Sequence, residues 1–281
     1  MSPRPSSPRP SSSRQSPPII TLLTDFGLND YFVGAMKGVI LATNPNAHLV
    51  DITHEISPHD IDEAAFTLLA AYSTFPRKTI HVAVVDPGVG SKRRPILVVT
   101  GDQLFVGPDN GIFSYVIERE QQARLFHITN EKYFRHPLSP TFHGRDIFAP
   151  VAAALSLGSR PEVFGPEVDD PFRLASLESH NAGKGRLHAR IIHIDRFGNC
   201  VTNLTQKQLT SAMIESGAQL LIKGQAITAF REFFAGEGNG KQKLFAIWGS
   251  AGFLEIAAQN RSAAKVLKVE RGERVVVIIK E

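Results

Sequence analysis

The stretch Val82 to Arg94, VAVVDPGVGSKRR, constrains the fold more than any other part of the chain. Val82, Ala83, Val84 and Val85 form an apolar, mostly β-branched run, the composition of a strand buried on both faces of a parallel sheet. The run stops at Asp86-Pro87-Gly88-Val89-Gly90. Proline fixes φ there and glycine permits positive φ, so the backbone must leave the sheet and wrap tightly. A carboxylate at the carboxyl end of a core strand stands where open α/β sheets build their ligand sites. Arg93, just past the turn, is placed to return towards Asp86, and a strand cap beside a surface arginine is the competing reading.

The same arrangement opens the chain's apolar sequence. Ile19 to Thr24 reads as a first strand closed by Asp25-Phe26-Gly27, again a carboxylate and then a glycine. Phe32, Met36, Val39 and Ile40 are spaced for a helix over 31–43, and Leu49 to Ile52 for a short strand. Asp60 to Phe75 predicts a helix with Asp60 as N-cap and Glu63 as its capping-box partner. Ile96 to Thr100 follows as a strand, Gly107 to Gly111 opens a short helix, and Arg145 to Leu157 forms another. Strands alternating with helices predict an α/β domain over 19–180 with a mainly parallel sheet covered on both sides.

Beyond residue 180 the pattern changes. Asn181 to Gly185 has the composition of a linker, followed by short β-type runs at 189–194, 219–222, 244–248, 253–257 and 274–279. These predict a smaller, mostly antiparallel β domain over 186–281. Residues 1–18 are nearly all Ser, Pro and Arg and predict a disordered tail.

Composition narrows the function classes. A formal charge of +4, partly from Arg4, Arg9 and Arg14, implies no nucleic-acid surface. No apolar run reaches the roughly 18 residues of a membrane span. The single cysteine, Cys200, excludes an internal disulfide and a Cys-based metal site. It fits a reducing compartment, and the expected location is cytoplasmic.

Six loops place polar groups beside turn glycines: Thr24 to Gly27, Val85 to Arg94, Pro108 to Gly111, Thr141 to Asp146, Asp195 to Asn199, and Trp248 to Glu255. Singly, each is weak and reads first as a turn that satisfies its own backbone. In order, with MKGVI (36–40), DITHEISPHDI (51–61), TFHGRDIFAP (141–150), DRFGN and GSAGFLEIA, they resemble the S-adenosyl-L-methionine (SAM) hydroxide adenosyltransferases. These SAM hydrolases are relatives of the fluorinating and chlorinating SAM enzymes, and the resemblance covers roughly residues 19–281.

The resemblance implies a homotrimer that binds SAM where domains of neighbouring subunits meet, without metal or organic cofactor. It implies that Asp86, Arg93 and His143 hold a water or hydroxide. Asp25 matches a carboxylate that chelates the ribose hydroxyls, and Asp30 one near the methionine end. Asp195 and Asn199 match substrate-facing residues of the β domain, and Ser250, Glu255 and the Ala258 backbone match adenine and methionine contacts. The halogenating relatives lack the aspartate at 86 and the histidine at 143, so both residues favour water over halide.

The residue types suit that chemistry. A sulfonium releases methionine as a neutral thioether, so the enzyme must chiefly position a nucleophile in line with C5′. Arg93 would favour hydroxide, while Asp86 and His143 would accept a proton or orient the water. Phe26, Phe142 and Phe197 would exclude bulk water. Bland readings stand beside these: His143 as cap of the Arg145 helix, Asp146 paired with Arg145, and Trp248 and Phe253 as core. Lys92 to Arg94 would be a solvated basic turn, and His54, Glu55, His59 and Asp60 form a loop cluster without metal-ligand spacing. The alternatives in function are a halide adenosyltransferase, a non-catalytic SAM- or adenosine-binding protein, and a metal-dependent hydrolase.

Overall fold

The computed structural model describes residues 16–183, 185–235 and 244–279; of the tail predicted over 1–18, residues 1–15 lie outside them. The first sheet contains β1 (Ile19–Thr24), β2 (His48–Thr53), β3 (Ile80–Val84), β4 (Pro95–Val99), β5 (Leu104–Pro108), β6 (Arg124–His127) and β7 (Glu167–Val168). Their spatial order is β2-β1-β3-β5-β4-β6-β7. The four strands β2, β1, β3 and β5 run parallel, and β4, β6 and β7 pair antiparallel at one side. All five residues of β3 are buried, as a central parallel strand requires. The short turn from Thr100 to Gln103, closed by Thr100 N–H to the Gln103 carbonyl at 2.9 Å, makes β4 and β5 a hairpin.

Helices cover both faces. Helix α1 (Phe32–Thr43) and α4 (Ala149–Ser156), with Phe148 just before it, pack Met36, Ile40, Val151 and Phe148 onto Leu22, Val82 and Val106. On the other face α2 (Ile61–Ala71) and α3 (Ser114–Arg119) pack Leu68, Phe66 and Val116 onto Leu23, Ala83 and Phe105. Asp60 caps α2 by accepting from Glu63 N–H at 2.9 Å, worth roughly 1 kcal/mol over alanine. The predicted capping box is incomplete, because the Glu63 carboxylate accepts from Ser57 N–H at 3.1 Å instead. The predicted helix over 145–157 begins as a π-helical turn, Gly144–Phe148, before α4.

The second sheet contains β8 (His180–Gly183), β9 (Arg186–Ile194), β10 (Cys200–Thr205), β11 (Gln219–Ile222), β12 (Gln225–Ile227), β13 (Phe230–Arg231), β14 (Leu244–Trp248), β15 (Phe253–Ala258) and β16 (Arg274–Ile278). Two short helices, α5 (Ser211–Glu215) and α6 (Ala263–Leu267), accompany it. The order is β12-β11-β16-β9-β10-β15-β14-β13, with β8 beside β9, and every pairing but β13–β14 is antiparallel. The expected linker at Asn181 to Gly185 is therefore corrected: His180–Gly183 is a strand, and Gly183 and Gly185 take positive φ as turn glycines do. Leu220, Ile256, Leu254 and Val277 form this sheet's own core. Ile192, Val201 and Phe253 leave it and join the cluster beneath α2, so the two sheets share apolar packing.

A polar chain crosses the first sheet. His81, fully buried, meets Thr21 Oγ1 at 2.7 Å through Nδ1 and Gln103 Oε1 through Nε2. Burial pushes its pKa down to about 4, so it is a neutral core histidine. Among the described residues no helix is long and apolar enough to cross a membrane.

Candidate active site

Parallel register decides where the first carboxylates stand. Thr24 pairs with Val84 across β1 and β3, so Asp25 and Asp86 leave neighbouring strands at the same sheet edge. Strand β4 runs the other way, and Pro95 opposes Pro108. That brings Arg93 and Arg94, just before β4, to this edge as well.

Asp86, Arg93 and His143 form one hydrogen-bonded chain. Arg93 Nε donates to Asp86 Oδ1 and Oδ2 at 3.0 Å each, and Nη2 donates to Oδ2 at 2.5 Å. The same Nη2 donates to His143 Nδ1 at 2.7 Å. The Asp86 and Arg93 side chains are only 5% and 9% exposed, so Arg93 is not a solvated basic turn. A guanidinium can only donate, which makes Nδ1 the bare nitrogen of His143 and puts the ring proton on Nε2. Burial and then the Arg93 charge hold this imidazole below the usual histidine range. Although His143 is the residue before the π-helical turn, its side chain makes no capping hydrogen bond. Arg93 Nη1 is buried and has no partner among the described residues. A buried donor without an acceptor is costly.

The π-helical turn is held by Asp146, which is fully buried. Its carboxylate accepts from Arg145 Nε at 2.7 Å, Arg145 Nη2 at 2.8 Å and Ser139 N–H at 2.9 Å. Burial opposes the charge, but these hydrogen bonds outweigh it and bring the carboxyl below its ordinary range. The bland expectation for Asp146 is thus what the structure contains.

Asp25 lies beside this chain. Its Oδ2 accepts from His59 N–H at 2.9 Å. The turn behind it is pinned by Thr24 Oγ1, which accepts from Phe26 N–H at 3.2 Å and meets His54 Nδ1 at 2.8 Å. His54 Nε2 lies 3.1 Å from Asp51 Oδ1, and the His54 carbonyl accepts from Gly27 N–H at 2.8 Å. His54, His59 and Asp60 therefore serve this loop and the Arg271 ion pair at 2.6 Å. Phe26 and Phe142 meet with ring centroids 6.1 Å apart, joining the Asp25 and His143 loops. Asp30 is exposed just before α1, and Tyr31 stacks on Phe32 at 4.5 Å.

The remaining predicted residues form a separate group on the second sheet. Asp195 holds its own turn: Oδ1 accepts from Phe197 N–H at 2.9 Å and Asn199 N–H at 2.8 Å, and Oδ2 from Asn199 Nδ2 at 2.9 Å. Gly198 has φ +84, and any side chain there would overlap the Ser262 hydroxyl, so the turn requires glycine. Val201 pairs with Glu255 across β10 and β15, bringing Glu255 beside this turn. Burial and then the Asp195 charge push the Glu255 carboxyl up. Ser250 is exposed in the adjoining hairpin and Ala258 is buried at the end of β15. Trp248 and Phe253 pack against core clusters, which supports the bland reading of each. Phe197 is 78% exposed, and among the described residues it makes no ring contact with Phe26 or Phe142 within the chain. Among the described residues no hydrogen bond or ion pair joins this group to Asp25, Asp86 or His143. Cavities of about 190, 410 and 250 Å³ occur elsewhere, and none is lined by a predicted residue.

Asp109 and Asn110 fasten the two ends of the Asp86–Arg93 turn and were not singled out as site residues from the sequence. The sequence marked only their turn, and their partners Arg94 and Val85 lie 15 and 25 residues away.

The fold also occurs in a known structure. The crystal structure of an uncharacterized conserved protein from Thermotoga maritima superposes with a TM-score of 0.85 at 34% identity, covering 92% of this chain and 99% of that one. The (R)-S-adenosyl-L-methionine hydrolase of Methanocaldococcus jannaschii is 37% identical over 92% of this chain and 95% of its own length. A fluorinase from Actinoplanes is more distant, 26% identical over 76% of this chain and 80% of its own. The family model for the SAM hydroxide adenosyltransferase N-terminal domain matches residues 20–165, and that for the C-terminal domain residues 189–276. With both halves matched, across the Asp86 edge and the Asp195 turn alike, the chain belongs to the SAM hydroxide adenosyltransferase family.

Proposed function

We propose that the chain hydrolyses (R)-S-adenosyl-L-methionine to adenosine and L-methionine, with Asp86, Arg93 and His143 holding the attacking water. The observation that carries this reading is the unpartnered, buried Nη1 of Arg93 next to a carboxylate and a neutral imidazole. Nη1 donates to the water oxygen and favours its hydroxide form. His143 donates from Nε2, since Nδ1 already accepts from Arg93. That leaves Asp86 as the group that takes the water's proton. The oxygen forms its bond to C5′ as the C5′–S bond breaks, and sulfur keeps the electron pair as a neutral thioether. Such a leaving group needs no acid, so the reaction draws on no metal or organic cofactor, and positioning supplies most of the acceleration.

Asp25, through the oxygen not used by His59, holds the ribose, and Asp30 lies towards the methionine end. Asp195 and Asn199 face the substrate from the second sheet, and Ser250, Glu255 and the Ala258 backbone take the adenine and methionine contacts; Asp195 also holds the shape of its turn. The two groups come together between subunits of a homotrimer. The exposed Leu28 and Tyr31 beside Asp30, and Phe197 in the Asp195 turn, support such an assembly, since exposed apolar groups mark interfaces. A reduced, buried Cys200 is consistent with a cytoplasmic enzyme.

Incubation of the purified protein with SAM, followed by chromatography, should give adenosine and methionine in equal amounts. A 5′-halo-adenosine in high chloride without adenosine would assign a halide adenosyltransferase, and binding without product a SAM-binding protein. Light scattering should return a trimer, and full activity of a monomer at nanomolar concentration would overturn the assembly.

A further inference from the structure

We infer that Asp109 and Asn110 are positioning residues for the Asp86–Arg93 pair, an inference that rests on the water-holding role proposed above. Both ends of the turn that carries the pair are fastened to the loop after β5. At one end Asn110 Nδ2 donates to the carbonyl of Val85, the residue before Asp86, at 2.8 Å. At the other, Asp109 N–H donates to the carbonyl of Arg94, the residue after Arg93, at 2.8 Å. The Asp109 Oδ2 also accepts from Arg94 Nε at 2.9 Å and Nη2 at 2.7 Å, and its side chain is 5% exposed. Neither residue hydrogen-bonds to Asp86, Arg93 or His143, so each acts through a neighbour, Asn110 through the Val85 carbonyl and Asp109 through the backbone and guanidinium of Arg94.

The anchoring loop is itself held from both sides. Asn110 Oδ1 accepts from Ile112 N–H at 3.2 Å, and Asp109 Oδ1 from Phe172 N–H at 2.8 Å. Arg94 Nη1 reaches Asp170 Oδ1 at 2.7 Å. Gly111 has φ +102 with Leu174 packed where a side chain would project, so the loop has one shape here. Carboxylate and guanidinium are thereby registered against each other by a part of the chain that never meets substrate. A displacement of about 1 Å at such a pair can cost about 10²-fold in rate.

Asn110→Ala should lower the single-turnover rate of bound SAM about 10–100-fold while SAM affinity by calorimetry changes less than about twofold. In an Asp86→Ala background the same substitution should add no further loss, because its effect passes through Asp86. Asp109→Asn, which keeps an oxygen for Phe172 N–H, serves as the second variant should Asn110→Ala fail to fold. A readout independent of turnover is the ¹⁵N resonance of the His143 imidazole. Loosening Arg93 in Asp109→Asn should raise the pH at which His143 takes its second proton. A lower melting temperature with unchanged rate and unchanged His143 titration would overturn the inference. Should the wild-type protein make no adenosine, the water-holding role fails, and the His143 titration alone still decides whether these residues hold Arg93.

Discussion

Asp86 and Asp195 look alike in sequence, each a carboxylate closing a strand with glycine soon after, yet the structure spends them differently. Asp195 accepts three hydrogen bonds from its own turn, between residues 197 and 199. Asp86 accepts none from its turn's amides, and its carboxylate goes to Arg93, which leaves one buried donor over. A carboxylate satisfied within its own loop stabilises a shape. One paired to a cation with capacity left stabilises a ligand. On the proposed function, the contrast puts the water-holding chemistry on the first sheet and a loop-shaping role on Asp195, beside the substrate-facing role that the resemblance implies.

The largest effect that tests the contrast is in rate. Asp86→Ala should lower the single-turnover rate about 10²–10⁴-fold with little change in SAM affinity. Asp195→Ala should leave the rate of bound SAM near wild type and lower stability by about 2 kcal/mol, read from denaturant unfolding. Loss of rate in Asp195→Ala equal to that in Asp86→Ala would erase the distinction. Next in size, Asp25→Ala removes a charged acceptor from the ribose, worth roughly 1.5–3 kcal/mol, and should weaken SAM binding about 10–100-fold by calorimetry. An unchanged dissociation constant would remove Asp25 from the binding site.

How far the sequence alone reached follows the range of the interactions involved. The buried run at Val82 and the Asp60 cap are local patterns, and both are found where expected. Arg93 returning to Asp86 spans one turn and was also legible. Strands β5, ending in Gly-Pro, and β8, with Ala and Gly, carry turn residues that masked them, and β10 starts directly behind the DRFGN turn. Ladder pairing, a tertiary effect, overrides those weak propensities. The Asp195 turn is readable as an Asx turn, and the substrate-facing role of its side chain rests on motif order. Asn110 with Val85, and Asp109 with Arg94, depend on sheet register that no single stretch encodes.

Smaller effects sharpen the Asp86 side. His143 is held below the usual histidine range, so the acid limb of the rate profile should lie below pH 6.5. The sign follows from Nδ1: protonation places a second donor against Arg93, and activity falls as pH drops through the lowered value. The same depression makes the fold lose stability below pH 6.5, since the unfolded histidine binds the proton first. A His143→Ala profile that keeps the limb would assign it elsewhere. Arg93→Lys retains charge but not the planar fork that spans Asp86 and His143, and should keep only part of the rate.

The most direct test of the central claim is hydrolysis of SAM in ¹⁸O-labelled water, with mass analysis of both products. Attack by a held water on C5′ predicts one ¹⁸O in adenosine, at the 5′-oxygen, and unlabelled methionine. Unlabelled adenosine, or label in the amino-acid product, would contradict it.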